Sequence, residues 1–322
     1  VRPTRWTLSI LDPTSLLGRE VADGIARAFP EAHRRLFHTG AEPEHLIAEV
    51  GGETALVPPL IELEELDGSA AVILTATPAA EVAGRLLDWL RANPAVALLD
   101  CTQPGVTGSE ASCVVDTLPP RSRELRWYHL VDPSLAAPTR WLKALLPLGP
   151  EAFHLTLLCP ASGFGAGAID ELASQGTARL SGRPAARPVH LPAVLAFDLA
   201  PAASERFAAL EAQLGELFPD LDRGLHVIDT GIFHGHLATV LVRCAQSVAP
   251  ERARALLRAT PGFRLARRNE TVTASAVVER EEVVCGELQV RGPWVTAWLV
   301  ADGLRVGGTS AVVELLASLT AS

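Results

Sequence analysis

Apolar residues fall along this chain in short runs broken by polar turns, and the rhythm of those runs changes near the middle. Leu8-Ser9-Ile10-Leu11 reads as a buried strand, Asp12-Pro13-Thr14-Ser15 as a turn, and Leu16, Leu17, Val21 and Ile25 recur at helical spacing. Strand, tight turn and helix in this order open a dinucleotide-binding βαβ unit, where glycines admit a pyrophosphate and the helix N-terminus holds its charge. Here only Gly18, the position that packs helix against strand, is a glycine, and Asp12 sets a carboxylate where a phosphate would come. Short strands follow at 34–37 and 55–57, then 71–75, an apolar run without alternation that predicts burial on both faces. Val82, Leu86, Leu87 and Leu90 predict a helix over 81–91, with strands at 96–100, 113–115 and 127–131. Alternating strand and helix predicts a doubly wound parallel α/β sheet.

Beyond Asp132 the pattern differs. A helix is expected over 138–146 and a strand over 153–159, closed by Pro160. The glycine-rich turn ASGFGAG then leads into a helix over 168–174. Strands at 225–232 and 237–244 flank Phe233-His234-Gly235-His236, a helix covers 249–259, and strands recur at 282–284 and 294–300. Strands in succession, with helices segregated from them, predict an α+β domain with a mixed sheet. The last helix, 309–319, is expected to return to the first domain. The division is thus 1–131 plus 303–322, Rossmann-like, and 132–302, α+β.

Composition narrows the class. The chain of 322 residues is 48% hydrophobic and 20% charged with a net charge of −9, and has no basic run, which argues against nucleic-acid and membrane partners. Lys143 is the only lysine and methionine is absent, a composition expected of a GC-rich bacterial gene. No apolar run reaches membrane-spanning length and no signal-peptide pattern opens the chain. Five scattered cysteines, without metal spacing, predict reduced thiols and a cytoplasmic protein.

Several segments coincide in order and spacing with one family. The strand-turn-helix opening, Ser162-Gly163-Phe164-Gly165, Gly235-His236, and ADGLRVGG from Ala301 to Gly308 resemble aspartate-semialdehyde dehydrogenase, including its degenerate Usg-type relatives. The likeness spans essentially the whole chain, with N-acetylglutamyl-phosphate reductases as the next nearest fold relatives. It implies a Rossmann-like NAD(P)-binding-type domain, a catalytic and dimerisation domain, and reduction of an acyl phosphate by NADPH. The implied machinery is a cysteine nucleophile, a histidine base, substrate arginines and a glycine-rich cofactor turn.

Position by position, most of that machinery is replaced. The cofactor turn falls on residues 12–18, leaving Thr14, Ser15, Leu17 and Gly18 as a degenerate cofactor-binding set, and a second glycine pair becomes Thr77-Pro78. The phosphate-binding arginine follows a run that is Cys101-Thr102-Gln103 here, and falls near Val106. The nucleophile's run is Asp132-Pro133-Ser134-Leu135, with Ala136 as the alternative position. A substrate-orienting glutamine falls on Cys159 and the substrate arginine on Asp229; only His236 keeps a catalytic identity.

Bland readings stand beside the sharp ones. His236 is a base without its nucleophile, or a histidine held at a strand bend. Cys159 is a relocated nucleophile beside it, or a buried apolar thiol at a strand end. His234 and His236, two apart, would share a strand face and form half a zinc site, with Asp229 at odd offset facing away. The SGFG turn binds an anion at its helix start, or only turns the chain. Asp302 and Arg305 read as an ion pair or caps, Glu62, Glu64 and Glu65 as a solvated face, and Arg2 and Arg5 as able to cover the cleft.

The sequence therefore predicts a homologue that has lost the family reaction. It would act by dimerising or binding, as a homodimer through 132–302 or a heteromer with a related dehydrogenase, and without a cofactor. The alternative is an active NAD(P)-dependent oxidoreductase with rearranged residues, keeping NADP.

Overall fold

The strand β1 (Thr7–Leu11) leads through α1 (Leu16–Ala28) to β2 (His33–Phe37), and a hairpin of β3 (Leu46–Val50) and β4 (Glu53–Val57) follows. The chain continues through β5 (Ala71–Leu74), α2 (Ala80–Ala92), β6 (Ala97–Asp100), β7 (Ser112–Val114) and β8 (Trp127–Leu130). The computed structural model describes residues 6–40, 44–115 and 126–321, so Arg2 and Arg5 lie outside the described residues. Six of these strands form a parallel sheet in the order β2-β1-β5-β6-β8-β7.

Burial follows the apolar pattern. Every residue of β5 and β6 is buried, as continuous runs covered on both faces require. Residues 55–57 do not join this sheet: β4 pairs antiparallel with β3, which alternates Ala48 and Val50 inward against Ile47 and Glu49 outward. α1 buries Val21, Ala22 and Ile25 against Leu8 and Ile10, and the C-terminal helix Ala311–Ala321 adds Val312, Leu315 and Leu316 to the same core. Each fully buried Leu or Ile contributes about 1.5–3 kcal/mol. Closeness here depends on glycine, since a Cβ on Gly24 would collide with the Thr309 side chain.

The chain divides into two units, Val1–Val131 with Gly308–Ser322, and Asp132–Gly307. The return to the first unit comes at Gly308 rather than at residue 303. The second unit opens with α3 (Pro133–Leu145), which starts earlier than the apolar spacing suggests. Asp132 caps it by accepting from the Ser134 N–H at 2.8 Å, and Pro133 occupies the first helical position, where no N–H is needed. Pro138 inside the helix leaves the carbonyl one turn back without its partner, and the Thr139 hydroxyl bonds the next two carbonyls, of Leu135 and Ala136.

Then come β9 (Pro150–Cys159), α4 (Ala166–Leu180), β10 (Leu199–Pro201), α5 (Ser204–Leu217), β11 (Asp222–Thr230), β12 (His236–Cys244), α6 (Pro250–Ala259), β13 (Phe263–Leu265), β14 (Val283–Arg291) and β15 (Trp294–Ala301). Seven strands form a mixed sheet in the order β10-β11-β9-β12-β15-β14-β13. α3, α5 and α6 pack on one face of it. Phe153, Leu155, Leu157 and Cys159 of β9 point to that side and are buried. On the other face a segment carrying Val272, Ala274 and Val277 covers Leu237, Val284 and Val300. His154, His226, Thr239, Leu241 and Trp294 of that face stay exposed or half-exposed. Among the described residues no helix is long and apolar enough to cross a membrane.

Candidate functional site

Strand register, rather than sequence proximity, assembles the chemistry of the second unit. Asp229 lies directly opposite Cys159 across β11 and β9. The pairing of Leu237 with Leu158 makes His236 and Cys159 the next positions along β12 and β9. Asp229, Cys159 and His236 therefore stand in one row on one face, with side chains close enough to interact. The offset argument that turned Asp229 away from His236 fails because the chain bends between them, at Gly231–Gly235. The same bend dissolves the proposed pair of His234 with His236. β12 begins only at His236, after Gly235 at φ +87°, where a Cβ would stand 2.6 Å from the Ala274 oxygen. Among the described residues no three metal-ligating side chains cluster.

The row is buried and mostly spoken for. Asp229 is 1% exposed and its Oδ1 accepts from Arg206 Nη1 at 2.6 Å. The guanidinium lies over the Phe164 ring, 4.6 Å from its centre. Burial pushes the Asp229 carboxyl up, Arg206 pulls it down and Asp132 adds to the rise, leaving it above the usual carboxylate range. Burial would lower Arg206, and Cys159, Asp132 and Asp229 outweigh it, so its pKa is raised. Cys159 is fully buried, which pushes its thiol up to about 12; Arg206 works against this, and Asp132 and Asp229 add to it. Asp132 Oδ1 is held by Ser134 through both its N–H and its hydroxyl, the latter at 2.5 Å.

His236 keeps a histidine's identity without a histidine's partners. Burial pushes its pKa down to about 4; Asp132 and Asp302 favour the cation, Arg206 and His234 oppose it. Among the described residues neither ring nitrogen has a hydrogen-bond partner, and the buried Asp229 Oδ2 likewise has none. The ADGLRVGG segment makes room for this ring, because a Cβ on Gly303 would collide with it and one on Gly307 would stand 3.0 Å from Pro133 Cα. Asp302 caps that segment through the Leu304 N–H at 3.1 Å and holds the Glu279 N–H at 2.8 Å, so it acts as a cap. The SGFG turn forms a 3-10 turn, Ala161–Phe164, tied by Ala161 and Ser162 N–H to the carbonyls of Ile232 and Phe233. Gly165 at φ +92° then starts α4, earlier than residue 168.

In the first unit the chain reverses between β1 and β5, the place where a doubly wound sheet opens its crevice. Asp12 has φ +60°, a conformation Asp tolerates better than most residues. Its carboxylate turns to the end of β2 and accepts from Thr39 N–H and hydroxyl, both at 2.7 Å. Burial raises its pKa, while Thr39 and the nearby His38 pull it down. Ser15 caps α1 by accepting from Gly18 N–H at 2.9 Å, and the Thr75 hydroxyl bonds the Leu11 and Asp12 carbonyls at 2.7 and 2.9 Å. A Cβ on Gly18 would collide with the Asp12 carbonyl, so this glycine is required by packing alone. Thr14 and Leu17 are half-buried beside it. Val106 gives its N–H to the buried Asp100 at 2.8 Å, which ties down the loop after β6.

Arg206 is the residue that the sequence did not disclose. Its helix follows a proline- and alanine-rich stretch, though Phe207, Leu210 and Leu214 carry a helical spacing that could have marked it.

No family model matches the chain. Over 170 residues it is 24% identical to an aspartate-semialdehyde dehydrogenase of Aquifex aeolicus, covering 48% of this chain and 50% of that protein. The match thus spans about half the length of the curated relative. The structure matches aspartate semialdehyde dehydrogenase II of Vibrio cholerae, complexed with ASA, at TM-score 0.86 over 99% of both chains with 20% identity. This is the aspartate-semialdehyde dehydrogenase fold. A probable aspartate-semialdehyde dehydrogenase of Pseudomonas aeruginosa matches at TM-score 0.80 over 97% of both chains with 20% identity. The Candida albicans enzyme with NADP matches at 0.70 over 98% of this chain and 99% of that one, with 13% identity. The resemblance to the aspartate-semialdehyde dehydrogenase family read from the sequence holds in fold over the whole chain, and in sequence over half of it.

The buried thiols yield a first test. At pH 8 a thiol with a pKa near 12 is ionised to about one part in ten thousand, so iodoacetamide should leave Cys159 unlabelled in the native protein and modify it in urea. Native labelling of Cys159 at the rate of free cysteine would restore it as a nucleophile.

Proposed function

We propose that this chain is a non-catalytic homologue of the aspartate-semialdehyde dehydrogenases, which keeps the fold for binding and self-association. The observation that carries the reading is the internal Arg206–Asp229 pair at 2.6 Å. The resemblance puts a substrate arginine at residue 229, and a buried carboxylate there, already neutralised from within, cannot hold a substrate carboxylate. Supporting it, the nucleophile's position falls on Leu135 or Ala136, both buried and without reactive atoms. The thiol nearest the imidazole, Cys159, stays protonated at neutral pH.

The cofactor turn points the same way. A pyrophosphate at the end of β1 needs free amides on α1 and no opposing charge. Ser15 already takes the Gly18 N–H, and the Asp12 carboxylate, held by Thr39 beside the turn, sets a negative charge near it, so these residues do not fit the NADP that a structural neighbour holds. Self-association is placed on residues 132–302. There the open sheet face carries Leu241, 37% exposed, and Trp294, 42% exposed.

The second reading, an active NAD(P)-dependent oxidoreductase with rearranged residues, has one observation in its favour. Burial favours the neutral form of His236, and among the described residues its nitrogens have no hydrogen-bond partner, the state a general base requires. A reverse-direction assay with aspartate semialdehyde, phosphate and NADP separates the two. The proposal expects no NADPH above the enzyme-free rate and a dimeric mass by sedimentation. Turnover abolished by His236→Gln would establish the second reading instead.

A further inference from the structure

The histidines that the fold brings together are not the two that neighbour each other in sequence. His154 on β9 and His226 on β11 meet on the open face of the mixed sheet, with ring centroids 5.0 Å apart and planes at 67°. They meet because of Gly224. This residue lies opposite His154, and its missing side chain leaves the space the ring fills: a Cβ there would stand 2.5 Å from His154 Nδ1. Leaning over Gly224 brings the His154 ring toward His226, two residues further along β11. His226 is exposed and His154 half-exposed. No hydrogen bond or ion pair engages either imidazole among the described residues.

Two imidazoles bound through nitrogen to one tetrahedral ion, at 2.0–2.1 Å, hold their ring centroids about 5 Å apart. The observed centroid separation is of that size. We propose that His154 and His226 form a chelating pair for a borderline divalent cation, of the zinc, copper(II) or nickel(II) class. Imidazole nitrogen selects that class over magnesium or calcium, which take oxygen ligands. Two protein ligands leave the remaining positions to water, consistent with the lack of a third metal-ligating side chain in the cluster. Leu241, opposite His154 on β12, borders the pair, so it lies on the face proposed above for self-association. The site itself does not depend on that reading.

Zinc chloride titrated into the full, EDTA-stripped chain at pH 7.5, against a metallochromic indicator, tests the pair. One site is expected in the wild type, weakened at least about tenfold by His226→Ala and by His154→Gln. His190→Ala, at an exposed histidine elsewhere, should leave it unchanged. The titration is repeated at protein concentrations far apart. Weaker zinc binding at the higher one alone means that a second copy covers an existing site. Absent zinc uptake at both, or uptake that neither substitution alters, overturns the proposal.

Discussion

Replacing Arg206 by Met should cost about 3–5 kcal/mol of stability at pH 7, because it strands the Asp229 carboxylate in a place it cannot occupy alone. Among the described residues the guanidinium is the hydrogen-bond partner of Oδ1, and Oδ2 has none. The pair adds little net stability over an apolar pair of similar volume, since desolvating both charges offsets most of their attraction. Arg206→Met combined with Asp229→Leu should therefore recover most of the loss. The effect also has a pH signature. Asp229 has a folded-state pKa above its unfolded value, so its protonated form favours folding below about pH 4 and the benefit is lost as pH rises. Removing Arg206 widens that difference, so the gap between wild type and Arg206→Met should narrow on acidification. Urea unfolding of all three proteins at pH 7 and pH 4.5 reads it. A single variant as stable as the wild type at pH 7 would mean that the carboxylate has other partners.

Lowering the pH from 7 to 5 should itself destabilise the wild type by about 2 kcal/mol through His236 alone. Its folded-state pKa of about 4 lies below the unfolded value, so its contribution is present above about pH 6.5 and is lost as pH falls toward 4. The cause is burial: the cation is solvated in the unfolded chain and shielded from solvent in the row beside Cys159. His236→Leu should remove this part of the acid slope while changing stability at pH 7 by no more than about 1 kcal/mol, because neither ring nitrogen gives up a hydrogen bond. Urea midpoints at pH 5, 6 and 7 check both statements. An acid slope unchanged by the substitution would place a hydrogen-bonded group on the ring.

Most elements of the parallel sheet were legible because burial writes itself into local sequence, whereas β3 and its antiparallel pairing with β4 outside that sheet were not. β5 and β6 are apolar throughout, and α1 announces itself by a serine cap and a helical stripe. The start of α3 was not, since Pro138 reads as a helix beginning when Asp132 and Pro133 already supply one. α5 was overlooked behind residues 181–203, whose prolines and alanines show no period. The site was legible only as identities. Replacement of the implied nucleophile and substrate arginine is visible in Leu135 and Asp229, whereas the row of Asp229, Cys159 and His236 depends on register between three strands far apart in sequence. Asp12 shows both sides of this. Its charge is evident from its letter, but only the fold reveals that Thr39, just past the end of β2, donates to it.

Calorimetric titration of the wild-type chain with NADPH tests the central claim most directly, because hydride transfer requires the cofactor whatever residues surround the substrate. With Ser15 satisfying the Gly18 amide and the Asp12 carboxylate fixed by Thr39 beside the turn, no binding is expected up to millimolar NADPH. Saturable binding in the micromolar range would contradict the account and return the protein to the active dehydrogenases.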